Sequence, residues 1–106
     1  MIELENDLVV VEFADEVGGV YFRSVLIKKA GARIPQHIHD YDHATYCGRG
    51  SAAMLVDGIH TRDVKEGEAV LVVAGKEHAF QALEDNTRLT CMHDAASALS
   101  MKQKGI

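Results

Sequence analysis

Four of the six histidines in this 106-residue chain are spaced to hold a metal ion: His37, His39 and His43 fall within seven residues, and His78 follows 35 positions later. Imidazole is the commonest nitrogen ligand of divalent transition metals, and a close group plus one distant histidine lets two segments of a sheet clamp a single ion. His37 and His39, two apart on a strand, emerge on one face with Ile38 pointing away. After Asp40-Tyr41-Asp42, His43 opens an apolar segment able to bring the backbone back past that pair, and His78 opens another strand after Gly75-Lys76-Glu77. An octahedral ion held by four imidazoles keeps two open positions for water, or for a substrate oxygen beside dioxygen. A tetrahedral ion such as zinc would be closed by the same set.

The elements that position these residues read as strands. Short runs rich in branched aliphatics alternate with turn signals at Gly18-Gly19, Gly31, Gly48 to Gly50, Asp57-Gly58, Glu66-Gly67, Gly75 and Asp85-Asn86, the rhythm of an antiparallel all-β domain. Strands are expected at Leu8 to Phe13, Val20 to Lys28, His43 to Cys47, Ser51 to Val56, Ile59 to Val64, Glu68 to Val73, His78 to Leu83 and Arg88 to His93. Asp57-Gly58 is a two-residue loop of the kind that tolerates positive φ in a hairpin. A short helix is expected over 95–104, with Asp94 capping its start, Lys102 and Lys104 near its end and Gly105 closing it.

Length and a hydrophobic content of 47% suit one domain, residues 1–106, with a single core. A formal charge of −5 with scattered basic residues argues against a nucleic-acid partner. No stretch approaches the roughly 18 to 20 apolar residues of a membrane span, and the start Met1-Ile2-Glu3-Leu4-Glu5 is acidic where a secretory signal is basic. These features, with Cys47 and Cys91 expected as reduced thiols, point to a cytoplasmic protein. Exposed sheet edges in so small a chain favour a homodimer.

The stretch Gly31 to Gly50 resembles the first motif of the cupin superfamily, G-x5-H-x-H-x3-E-x6-G, with His43 standing where glutamate is usual. Gly67 to Ala82 is similar to the second, G-x5-P-x-G-x2-H-x3-N, with Val73 for proline and Ala82 for asparagine. The resemblance covers residues 31–82, both motifs (31–50 and 67–82) and the hairpin-sized gap between them. It implies a cupin-type jelly-roll β-barrel with His37, His39, His43 and His78 as ligands to one divalent transition metal: manganese, iron, nickel, copper or zinc. It also implies oxygenase, isomerase or lyase chemistry. Four neutral ligands leave the metal's charge uncompensated, which favours anionic or oxygen-rich ligands.

Strand parity extends the site. Phe80 shares a face with His78 and Cys47 with His43, so both are expected as pocket lining; Arg23, if it faces inward, would bind a substrate carboxylate. His93 shares parity with Leu89 and Cys91 and is weighed between a surface or capping role and a proton-transfer role beside the metal. His60, outside the motifs, is expected on the surface, and Asp40, Tyr41 and Asp42 as a solvated turn. The expected function is a small metal-dependent enzyme, a dioxygenase first, acting on a small oxygen-rich or anionic molecule. The alternatives are a non-catalytic metal-dependent binding or sensing protein, and a metal-dependent isomerase or lyase.

Overall fold

Alternating apolar side chains need a facing layer to bury against, and nine short strands among the described residues supply two. The computed structural model describes residues 7–37 and 42–94, with the backbone alone for residues 35–37. The strands are β1 (Val9–Val17), β2 (Val20–Ile27), β3 (Arg33–His37), β4 (His43–Arg49), β5 (Ser51–Val56), β6 (Ile59–Lys65), β7 (Ala69–Val72), β8 (His78–Ala82) and β9 (Thr87–Asp94). A five-stranded sheet in the order β1-β2-β9-β4-β7 faces a four-stranded sheet in the order β3-β8-β5-β6. Every pairing is antiparallel. Apart from the β1–β2 and β5–β6 hairpins, neighbouring strands within each sheet come from distant parts of the chain, the jelly-roll solution to closing antiparallel sheets around one core.

Val9, Val25, Ile27, Leu89, Cys47, Val70 and Val72 from the larger sheet meet Ile34, Ala52, Met54, Val64, Phe80 and Ala82 from the smaller one. In β4 the inward residues are His43, Thr45 and Cys47, all buried while Tyr46 is exposed; the period of two expected of a half-buried strand is plain there. Helix is absent among the described residues, and the expected helix over 95–104 lies outside them.

Two hairpins follow directly from turn chemistry. Asp57 and Gly58 sit at φ 52° and 80° between the paired residues Val56 and Ile59, the two positive-φ positions that a primed turn requires. Gly18 and Gly19, at φ 58° and 83°, do the same between Val17 and Val20. The first strand runs four residues past its expected end at Phe13. A register shift between Val11 and Phe13 marks a bulge at Glu12, and the bulge lets the exposed, acidic half of β1 stay paired with β2.

At the end of β4 the backbone makes a close approach that only glycine permits. Gly50 has φ 77°, and a Cβ there would lie 2.5 Å from Thr87 Oγ1 and 3.1 Å from Thr87 Cα. Thr87 cannot step aside cheaply, because its hydroxyl donates to the carbonyls of Ser51 at 3.1 Å and Glu84 at 2.9 Å. Gly50→Ala is therefore expected to cost about 3 kcal/mol, combining backbone strain with a buried clash. Urea denaturation of the purified variant measures it, and an unchanged midpoint would refute the packing argument.

Candidate metal centre

Both described candidate ligands with side chains in view are strand-opening histidines that face the interior. His43 is 6% exposed and shares the inner face of β4 with Thr45 and Cys47. His78 is 4% exposed and shares the inner face of β8 with the core residues Phe80 and Ala82. They come from opposite sheets. The backbone of His37 is the register partner of His78 across β3 and β8, so three of the four predicted positions open or close strands at one end of the sandwich. His39 lies outside the described residues.

The ring of His78 is oriented by its own turn. Its Nδ1 lies 2.8 Å from the carbonyl oxygen of Lys76; that oxygen can only accept, so Nδ1 carries the proton and Nε2 holds the lone pair. This arrangement fixes the tautomer of a metal-binding imidazole. Position as well as tautomer is fixed, because Glu77 and Asp57 hold each other reciprocally: Asp57 N–H donates to the Glu77 carbonyl at 2.8 Å, and Glu77 N–H to Asp57 Oδ1 at 3.1 Å. The β5–β6 hairpin tip thus pins the residue immediately before His78.

His43 has a comparable support. Asp42, just ahead of it, accepts a hydrogen bond at 2.8 Å from the backbone N–H of Ala74, in the turn leading to His78. This tie joins the entry of β4 to the β7–β8 turn and so couples the two histidines. Asp42 is exposed, as expected of a solvated turn, but its carboxylate also serves as a brace. The signal was a carboxylate directly preceding a candidate ligand; its partner, a backbone amide 32 residues away, has no sequence signature. Asp42→Ala is expected to weaken binding of a divalent metal by about tenfold, within the range for groups that orient ligands, and Asp42→Asn to restore part of it. Competition against a chromophoric chelator reads both.

The remaining candidates divide by depth. Phe80, 3% exposed, is two residues along β8 from His78 and walls the interior beside it. Cys47 shares the face of His43 but sits four residues further along β4, about 13 Å away at strand spacing. Its thiol donates to the carbonyls of Arg49 and Gly50 at 3.4 and 3.5 Å, and burial holds it above the usual thiol range. The structure therefore groups Cys47 with the far end of the core, apart from the histidines. His93 is half-buried, stacks at 5.0 Å on Tyr21 and donates from Nδ1 to the carbonyl of Asp94 at 2.9 Å. Arg23 is on the inner face of β2, in register with Cys91. His60 is exposed and lies 2.7 Å from Asp63, as expected of a surface residue.

Among the described residues no three His, Cys, Asp or Glu side chains converge as a metal-holding group. His43 and His78 are the two predicted ligands whose side chains are described; their burial, their facing sheets and the free Nε2 of His78 fit a metal ion between the sheets. A groove of about 420 Å³ lined by Gly50, Ser51, Asp63, Lys65, Glu66, Leu83 and Glu84 opens at the opposite end, away from both.

The two-sheet fold with its strand-end histidines has a counterpart among protein families: residues 24–93 match the family described as Cupin domain. The chain belongs to the cupin family. Solved structures agree on the fold. KdgF from Halomonas sp. superposes with a TM-score of 0.72 at 17% identity, covering 87% of this chain and 83% of that one. An RmlC-like cupin with a double-stranded β-helix fold from Methanocaldococcus jannaschii superposes with a TM-score of 0.72 at 15% identity, covering 95% and 94%. A conserved protein of unknown function from Streptococcus pyogenes gives 0.68 at 23%, covering 85% and 77%. No curated protein matches the sequence. Cupins often bind a metal, and in this cupin His43 stands where the first motif usually has glutamate. No helix among its described residues is long and apolar enough to cross a membrane.

Proposed function

We propose that this cupin is a metal-dependent enzyme acting on a small oxygen-rich molecule, with oxidation by dioxygen as its reaction class. The observation that carries the reading is a pair of buried histidines, one from each sheet, with His78 held by the Lys76 carbonyl in the tautomer that leaves Nε2 available. His37, His39, His43 and His78 would hold a manganese, iron, nickel, copper or zinc ion, four neutral imidazoles that leave its positive charge undiminished. When bound, such an ion supplies Lewis acidity and, if redox-active, a route for electrons to dioxygen.

What the protein contributes is shape and orientation. Phe80 and Val72, both buried, exclude water from the two sides of the site. The Lys76 carbonyl keeps the His78 proton on Nδ1, and Asp42 and Asp57 keep the two strand entries in place. A substrate oxygen entering at this end meets a dry, positively charged pocket.

Oxygen uptake by the protein loaded with iron, manganese or copper, assayed with catechols, enediols and β-diketones, tests the reading. Uptake that requires the metal and His78 supports it. No turnover of any of these compounds with any of the metals overturns it in favour of a binding or sensing role.

A further inference from the structure

The larger sheet brings a second charged group to the interior near the histidines. Arg23 of β2 pairs with Cys91 of β9, and Cys91 pairs with Thr45 of β4, so the three form one row across the inner face. Ala44 pairs with Met92, and continuing that register by one residue sets His43 beside His93, in the next row towards the strand ends. Arg23 is thus two strands and one row from His43, about 12 Å between α-carbons at standard sheet spacings. An extended arginine and an imidazole narrow that gap to the size of a small organic acid.

Arg23 is half-buried, and one nitrogen of its guanidinium is not accounted for by the fold. Arg23 Nε is fully buried and has no hydrogen-bond partner among the described residues. Its register partner does not balance it: burial holds the Cys91 thiol above its usual range, an effect larger than the opposing pull of Arg23. Cys91 already shares a hydrogen bond with Thr45 Oγ1 at 3.4 Å. A buried donor left unmatched is costly, and a guanidinium is shaped to take a carboxylate on two nitrogens at once.

We propose that Arg23 is the carboxylate-binding residue of this site, and that the ligand is a small acid whose carboxylate rests on Arg23 while a second oxygen reaches the histidine end. This rests on the metal reading above and narrows it to α-hydroxy acids and their relatives. Arg23 brings a positive charge to the inner face although the chain carries a formal charge of −5, so selection for an anion is local.

The test uses the full chain loaded with Co(II) or Ni(II) and two probes followed by the metal's visible absorption: imidazole, neutral and binding metal alone, and glycolate, which offers a hydroxyl and a carboxylate. Arg23→Gln is expected to weaken glycolate by at least about tenfold, the worth of a charge-assisted hydrogen bond, and to leave imidazole unchanged. Arg23→Lys should fall between. Equal glycolate affinity in wild type and Arg23→Gln overturns the proposal. Failure to take up metal overturns the metal reading alone. In that event glycolate should still raise the melting temperature of the metal-free wild type and not of Arg23→Gln, and equal shifts in the two would overturn the assignment of Arg23.

Discussion

His78→Ala is expected to lower affinity for a divalent transition metal by more than about a hundredfold, beyond the loss seen when only an orienting partner is removed. The residue combines three properties in one place: it is buried at the mouth of β8, it faces the opposite sheet, and its Nδ1 is committed to the Lys76 carbonyl so that Nε2 is the atom available to an ion. Removing the ring takes away the ligand and leaves the strand, since β8 is paired on both edges, with β3 and with β5. The far-UV spectrum should therefore be retained while metal stoichiometry falls. His60→Ala is the control, because His60 is exposed on β6. Unaltered metal uptake in His78→Ala would remove His78 from the site.

Metal loading is expected to stabilise the fold by a comparably large amount. An ion that binds the native protein and not the unfolded chain adds about 4 kcal/mol at a thousandfold excess over its Kd, or roughly 15 °C or more in Tm for a domain of this size. The mechanism is mechanical as well as thermodynamic: His43 enters from the five-stranded sheet and His78 from the four-stranded one, so an ion held by both ties the layers at an end where packed aliphatics give way to polar side chains. Differential scanning calorimetry before and after chelation reads the effect, and His78→Ala should abolish it. A Tm that ignores metal would mean that the two sheets are not bridged there.

Much of this was legible in the chain. Asp57-Gly58 declared its hairpin because few residue pairs accept two positive φ angles in succession, and the histidine parity in β4 and β8 followed from the period of two. Depth was not legible. Parity placed Cys47 on the face of His43, but a face is a line along a strand, and four residues on that line carry the thiol to the far end of the core. The length of β1 was hidden for a different reason: Asp15 and Glu16 broke the apolar pattern on which strand reading depends, while the pairing that keeps them in the sheet is made by the backbone through a bulge. Arg23 could be placed inward only once β2 was paired with β9, since Ser24 on the opposite face is as buried as Val25, and the burial of Ser24 comes from cover by Glu12 and Thr90 side chains. The braces at Asp42 and Asp57 were out of reach for sequence reasoning, because each reaches a backbone amide far along the chain.

Those braces also make the site observable without touching it. The N–H groups of Ala74 and Glu77 lie in exposed turns, where an unbonded amide would exchange its hydrogen with solvent almost at once; each is instead held by a carboxylate from another segment. Their exchange then follows the brief separations of those segments, which hold the residues next to His43 and His78. Two exposed amides thus report how firmly the entries of both histidine strands are held, quickening when a brace is cut.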